Sequence, residues 1–126
     1  MHLSISINSR AIGPDYPPYI IAELSANHNG SIDQAFAIME AAKNAGADAI
    51  KLQTYTAQTM TIDHDGPDFQ LTEGPWAGKG LYELYESAYM PWDWHEALFK
   101  KARDLDITIF STPFDKTAVD FLENLD

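Results

Sequence analysis

Residues 48–53 read DAIKLQ, and their alternation decides the fold. In an extended segment successive side chains point to opposite faces. Ile50 and Leu52 therefore share one face, suited to packing against helices. Lys51 and Gln53 share the other. Lys51 is the only one of the eight Lys and Arg residues embedded in an apolar strand.

Working outward, residues 19–25 (YIIAELS) and 107–111 (ITIFS) read as two more buried strands. All three are nearly continuous apolar runs, as expected of strands covered on both faces. A helical spacing of Ala35, Ile38, Met39, Ala42 and Ala45 joins the first strand to the second. Ser31 and Gln34 make a capping-box pattern at its start, and Gly46 is its stop. After residues 54–80, an irregular stretch rich in Gly and Pro, a short helix is expected over 81–89. A longer one follows Pro91 to Leu105, with Trp94, Ala97, Leu98, Ala102 and Leu105 on one face. A further helix begins at an Asp cap, Asp115. Residues 3–7 (LSISI) read as a short half-exposed strand. Strands alternating with helices indicate parallel βαβ units, an α/β fold.

Composition narrows the partners. The chain has 126 residues, about one domain. Its formal net charge of −11 argues against nucleic acid and anionic membranes, whose ligands carry basic patches. The absence of cysteine excludes disulfide and thiolate chemistry and suits a cytoplasmic home. No apolar run reaches the roughly 20 residues of a membrane span, and the N-terminus lacks a signal-peptide layout.

In parallel α/β proteins ligands bind at the carboxyl ends of the strands. Each end here is polar: Glu23, Asn27 and His28 after the first strand, Lys51 and Gln53 on the second, Ser111 and Thr112 on the third. One carboxylate, one ammonium, one amide and two hydroxyls suit a small substrate bearing phosphate or carboxylate groups and hydroxyls. Blander roles stand beside these. Lys51 can snorkel to water, Glu23 can be a solvated terminus, and Asn27 and Asn29 can be turn formers. A lone His28 can be structural. Asp63, His64 and Asp65 are consecutive and face one ion poorly, so no metal site is assigned. His95 is expected on a helix surface, and Trp92 and Trp94 in packing.

The segments IIAELSANHNGS (20–31), AGADAIKLQTYT (45–56) and STPFD (111–115) resemble the start of the sialic acid synthase family. The stretch LTEGPWAGKGLYELYESAYMPWDWHEALF (71–99) resembles its pseudaminic acid branch more than its neuraminic acid branch. The resemblance implies a (β/α)₈ TIM barrel followed by a small antifreeze-like domain. It implies condensation of phosphoenolpyruvate with an N-acetylated amino sugar to a nine-carbon 2-keto acid, with release of phosphate. In the pseudaminic branch the sugar is a 2,4-diacetamido-2,4,6-trideoxy-altrose. A divalent metal, Mn or Mg, is implied at the sugar aldehyde, with its ligands outside this chain. By position, Lys51 and Thr112 match phosphoenolpyruvate-holding residues, and Gln53 and Glu23 match positions near the sugar and the reacting centre. The expectation is thus the N-terminal portion of a TIM barrel, residues 1–126, with about three βα units, a long loop after the second strand and no antifreeze-like domain. Such a chain is expected to be inactive alone and to form a homo-oligomer. The alternatives are a neuraminic or legionaminic acid synthase, and a non-catalytic, self-associating α/β fragment.

Overall fold

The computed structural model describes residues 3–125. The chain opens with an antiparallel hairpin of β1 (Ile5–Ile7) and β2 (Arg10–Ile12). Its turn residues, Asn8 and Ser9, have φ of 45° and 66°. Two left-handed residues give the twist that a two-residue hairpin needs. The second strand of this hairpin is not legible in the sequence, because RAI is too short to show an alternation.

Three parallel strands follow in the order β3 (Ile21–Glu23), β4 (Ala49–Thr54) and β5 (Thr108–Pro113), with β4 central. Five helices join and follow them: α1 (Ile32–Asn44), α2 (Ala57–Met60), α3 (Leu81–Ala88), α4 (His95–Leu105) and α5 (Lys116–Glu123). The expected βαβ alternation is present. The first strand departs from expectation. It is three residues long, and Ile21 is 44% exposed. It lies at a sheet edge, and its inner face has no cover.

The core lies between β4 and the helices. Leu24, Ile50 and Leu52 pack with Ala35 and Met39 of α1 and with Leu98, Phe99 and Ala102 of α4. Ile50 and Leu52 are fully buried. Burial stabilises each by about 1.5–3 kcal/mol, and truncating Leu52 to Ala costs about 2–5 kcal/mol. Helix ends are locally specified. Ser31 Oγ accepts from the Gln34 N–H, but Gln34 does not complete the box by reaching back. At the other end Gly46, at φ 88°, lets its own N–H bond Lys43 O while Ala47 N–H bonds Ala42 O. That pair is the Schellman closure, which needs a left-handed residue.

The long stretch after β4 is less irregular than expected. It contains α2 and a 3₁₀ turn at Pro67–Phe69. A closed loop is pinned where Gln70 bridges Gly80 and where Leu71 and Gly78 share a backbone bond.

The hairpin clips the amino ends of the sheet. Asn8 Nδ2 donates to Thr108 Oγ1 at 2.8 Å, and Arg10 pairs with Asp48 at 2.8 Å. The carboxyl ends are left clear.

Candidate functional site

The parallel register sets which side chains stand together. Glu23 pairs with Lys51, Lys51 with Phe110, and Gln53 with Thr112. In-register residues of parallel strands point to the same side of the sheet. One face therefore carries a row of Glu23, Lys51 and Phe110, and beyond it Gln53 and Thr112. Strands lie about 4.8 Å apart and residues two apart are about 6.6 Å along the strand. Five side chains thus share a patch roughly 10 Å by 7 Å, the scale of one small substrate.

Lys51 Nζ donates to Glu23 Oε1 at 2.8 Å. Lys51 is one quarter exposed and Glu23 one half. A pair this wet contributes little stability. It does hold the ammonium and the carboxylate side by side in fixed positions. Phe110, 37% exposed, supplies an apolar wall beside the ammonium. It was not singled out from the sequence, since only the register with β4 reveals that it flanks Lys51.

The other predicted residues go elsewhere. Ser111 does not join the patch: it falls on the opposite, helix-covered face, with its Oγ 2.5 Å from Thr54 Oγ1. Adjacent strand residues cannot share a face, so only one of Ser111 and Thr112 reaches the site. Asn27 turns its amide back onto Leu24 O at 3.1 Å and closes the turn after β3. Ser25, Asn29 and Gly30 have φ of 50°, 48° and 73° in that turn. Asn and Gly tolerate that region, which accounts for the polar sequence there. His28 is buried, edge-on to Trp94 at 5.4 Å, with its Nδ1 accepting from Gly30 N–H at 3.0 Å. Burial pushes its pKa down, opposed by the Ala88 backbone. It anchors the loop from beneath.

His95 corrects the expectation of a surface position. It is fully buried, and its Nε2 lies 2.8 Å from Thr54 Oγ1. Its signal was present: residues 95, 98, 99 and 102 form one helical stripe. Trp92 packs on Phe121, with ring centres 4.8 Å apart, and donates to Tyr55 O. Asp63, His64 and Asp65 line an acidic cleft of about 480 Å³ with Glu83 and Glu86. Among the described residues no three His, Asp or Glu side chains are placed to hold a metal ion. The divalent cation that the resemblance implies finds no such group of ligands among the described residues. None of the described helices is long and apolar enough to cross a membrane.

Known proteins share both sequence and fold with this chain. Residues 38–126 match the model of the NeuB family. Pseudaminic acid synthase of Campylobacter jejuni is 50% identical over 112 residues, which are 89% of this chain and 33% of that protein. The pseudaminic acid synthase of Helicobacter pylori is 47% identical over 109 residues, 86% of this chain and 32% of that one. The crystal structure of N-acetylneuraminic acid synthetase from Leptospira borgpetersenii superposes with a TM-score of 0.79 at 26% identity, over 99% of this chain and 39% of that one. That of the spore coat polysaccharide biosynthesis protein SpsE of Bacillus subtilis gives 0.69 at 34% identity, over 97% and 31%. The chain spans about a third of the length of the curated relatives it matches. Its α/β architecture is that of the corresponding part of a sialic acid synthase. The chain belongs to the NeuB family.

Proposed function

We propose that this chain supplies the first three strands of a pseudaminic acid synthase active site. The observation that carries the proposal is the single face holding the Glu23–Lys51 pair with Gln53 and Thr112 in register beside it. The supporting comparison is identity of 47–50% to two pseudaminic acid synthases, against 36% to the legionaminic acid synthase of Legionella pneumophila.

The proposed substrates are phosphoenolpyruvate and 2,4-diacetamido-2,4,6-trideoxy-altrose. The vinyl carbon of phosphoenolpyruvate bonds to the sugar aldehyde carbon, whose oxygen takes up a proton. Water adds at the resulting cationic C2 and gives up a proton; the new hydroxyl then gives up its own as the C2 carbonyl forms and the bond from C2 to the phosphate oxygen breaks. The products are the nine-carbon 2-keto acid and phosphate. Lys51 suits the phosphate as a compact, strongly hydrated charge, and the Thr112 hydroxyl donates a second bond to it. Gln53 orients the sugar. The Glu23 carboxylate, beside the developing positive charge at C2, stabilises it or moves a proton. Lys51 holds that carboxylate in place through the 2.8 Å bond. Activity is assigned to a longer protein containing this segment, in the cytoplasm and as a homo-oligomer; the 126 residues alone are expected to be inactive.

The test is phosphate release by that longer protein with phosphoenolpyruvate and a panel of three sugars: the diacetamido-altrose, the legionaminic precursor and N-acetylmannosamine. Turnover highest with the altrose is expected. Preference for either of the others reassigns the branch, and no phosphoenolpyruvate-dependent turnover with any sugar removes the proposal.

A further inference from the structure

Behind the candidate site, three side chains distant in sequence form one hydrogen-bonded chain. His95 Nδ1 lies 3.3 Å from Pro91 O and 3.2 Å from Trp92 O. A carbonyl oxygen only accepts, so Nδ1 carries the ring proton. In the neutral ring Nε2 is then an acceptor, and Thr54 Oγ1, 2.8 Å away, donates to it. Thr54 has spent its one proton, so Ser111 Oγ, at 2.5 Å, donates to Thr54. The direction of every bond follows from two backbone carbonyls. Burial lowers the His95 pKa and so favours the neutral ring, against the bonds to Pro91 O and Trp92 O, which raise it.

Both linked strand residues are immediate neighbours of site residues. Thr54 follows Gln53, and Ser111 precedes Thr112. By alternation the chain lies on the far face of the same two backbone segments whose near face carries Gln53 and Thr112. Pro113 has no N–H to give, and past it only Phe114 N–H to Thr54 O, at 3.2 Å, joins the strands. A buried polar trio is costly unless fully bonded. Leu52 and Ile50, one and two repeats of the pleat earlier, fill the same face with apolar groups.

We propose that His95, Thr54 and Ser111 form a positioning relay that sets the spacing of the β4 and β5 carboxyl ends, and through them the placement of Gln53 and Thr112. The relay's role rests on the assignment of those two residues to substrate. Its atoms touch no substrate; it acts through the backbone.

The experiment compares Thr54→Val, Thr54→Ser and Ser111→Ala in the longer synthase containing this segment. Loss of the hydroxyl link in Thr54→Val and Ser111→Ala is expected to raise the KM for phosphoenolpyruvate about fivefold to tenfold, with kcat changed less than about twofold. Thr54→Ser keeps the hydroxyl and restores the wild-type KM. Should Thr54→Val fail to fold, Ser111→Ala, at a half-buried position, carries the same test. In the unmodified protein, ¹⁵N-histidine spectra, with His95 assigned by loss in His95→Gln, are expected to show a neutral ring protonated at Nδ1. A ring protonated at Nε2, or charged near neutral pH, overturns the relay. So does an unchanged KM in folded Thr54→Val and Ser111→Ala, or an equal rise in Thr54→Ser, which would implicate volume instead of the hydroxyl. Wild-type protein that does not use phosphoenolpyruvate removes the functional assignment and the positioning role with it, while the tautomer measurement still reports on the bonds themselves.

Discussion

Replacing Lys51 by Met separates binding from stability. Methionine keeps most of the side-chain stem and removes the ammonium. In the folded chain the ammonium's observed partner is Glu23, at 2.8 Å, in a pair whose carboxylate is 52% exposed. A pair this solvated contributes at most about 1 kcal/mol. Denaturant midpoints should therefore move little. Against phosphate the same ammonium makes a charge-assisted bond worth about 1.5–3 kcal/mol, which converts to roughly a ten- to 150-fold rise in the KM for phosphoenolpyruvate. The assay is phosphate release at saturating sugar over a range of phosphoenolpyruvate concentrations, in the longer protein, with urea unfolding in parallel. A folded Lys51→Met protein with unchanged KM refutes the assignment. A large stability loss with normal kinetics would instead make the pair structural.

Glu23→Gln keeps shape and removes charge, so phosphoenolpyruvate and sugar affinity should persist while kcat falls; intact kcat in steady-state assays returns Glu23 to a solvated strand end. His28 and His95 have folded pKa values below the ordinary 6.5, so the unfolded chain binds more protons between the folded values and about 6.5. Stability is therefore full above about pH 6.5 and declines as pH falls below it, which urea midpoints at pH 5.5 and 7.5 will show as a lower value at the acid end. The 126-residue chain made alone exposes Ile21 and Phe110 on the uncovered sheet face. It is expected to self-associate in light scattering over a concentration series, and a stable dilute monomer with cooperative unfolding speaks against this.

The central strand was legible because its two faces differ in kind. Ile50 and Leu52 against Lys51 and Gln53 is a period-2 pattern with charge on one side, and the observed burial follows it. Helix ends were legible for a similar reason, since Ser31, Gly46 and Asp115 are residues whose local chemistry ends or starts helices. What could not be read was anything set by one strand's offset against another. Ser111 and Thr112 look equivalent in sequence. Only the pairing of Gln53 with Thr112 decides which hydroxyl meets the site. The same register places Phe110 beside Lys51. His95 was misplaced because a titratable residue was weighed by its own polarity, while the stripe it belongs to is apolar at 98, 99 and 102. A buried histidine becomes tolerable once a hydroxyl and two carbonyls satisfy it, and no local pattern announces partners 41 positions away.

The site and the core therefore compete for the same three strands, and the register is what keeps them apart. A slip of one residue between β4 and β5 would turn Lys51 and Gln53 toward α1 and α4, and Ile50 and Leu52 toward solvent. Hydrophobic burial alone penalises that slip, but it does not fix the strands to fractions of an ångström. Polar bonds that can hold the register are placed at the two ends of the sheet. At the amino end Asn8 holds Thr108 and Arg10 holds Asp48. At the carboxyl end Thr54 holds Ser111 and His95. Between these clips Ile50 and Leu52 can be chosen for packing and Lys51 and Gln53 for chemistry. Substitutions at 50 and 52 should then act on stability, those at 51 and 53 on substrate affinity, and those at 54 and 111 on affinity without contact.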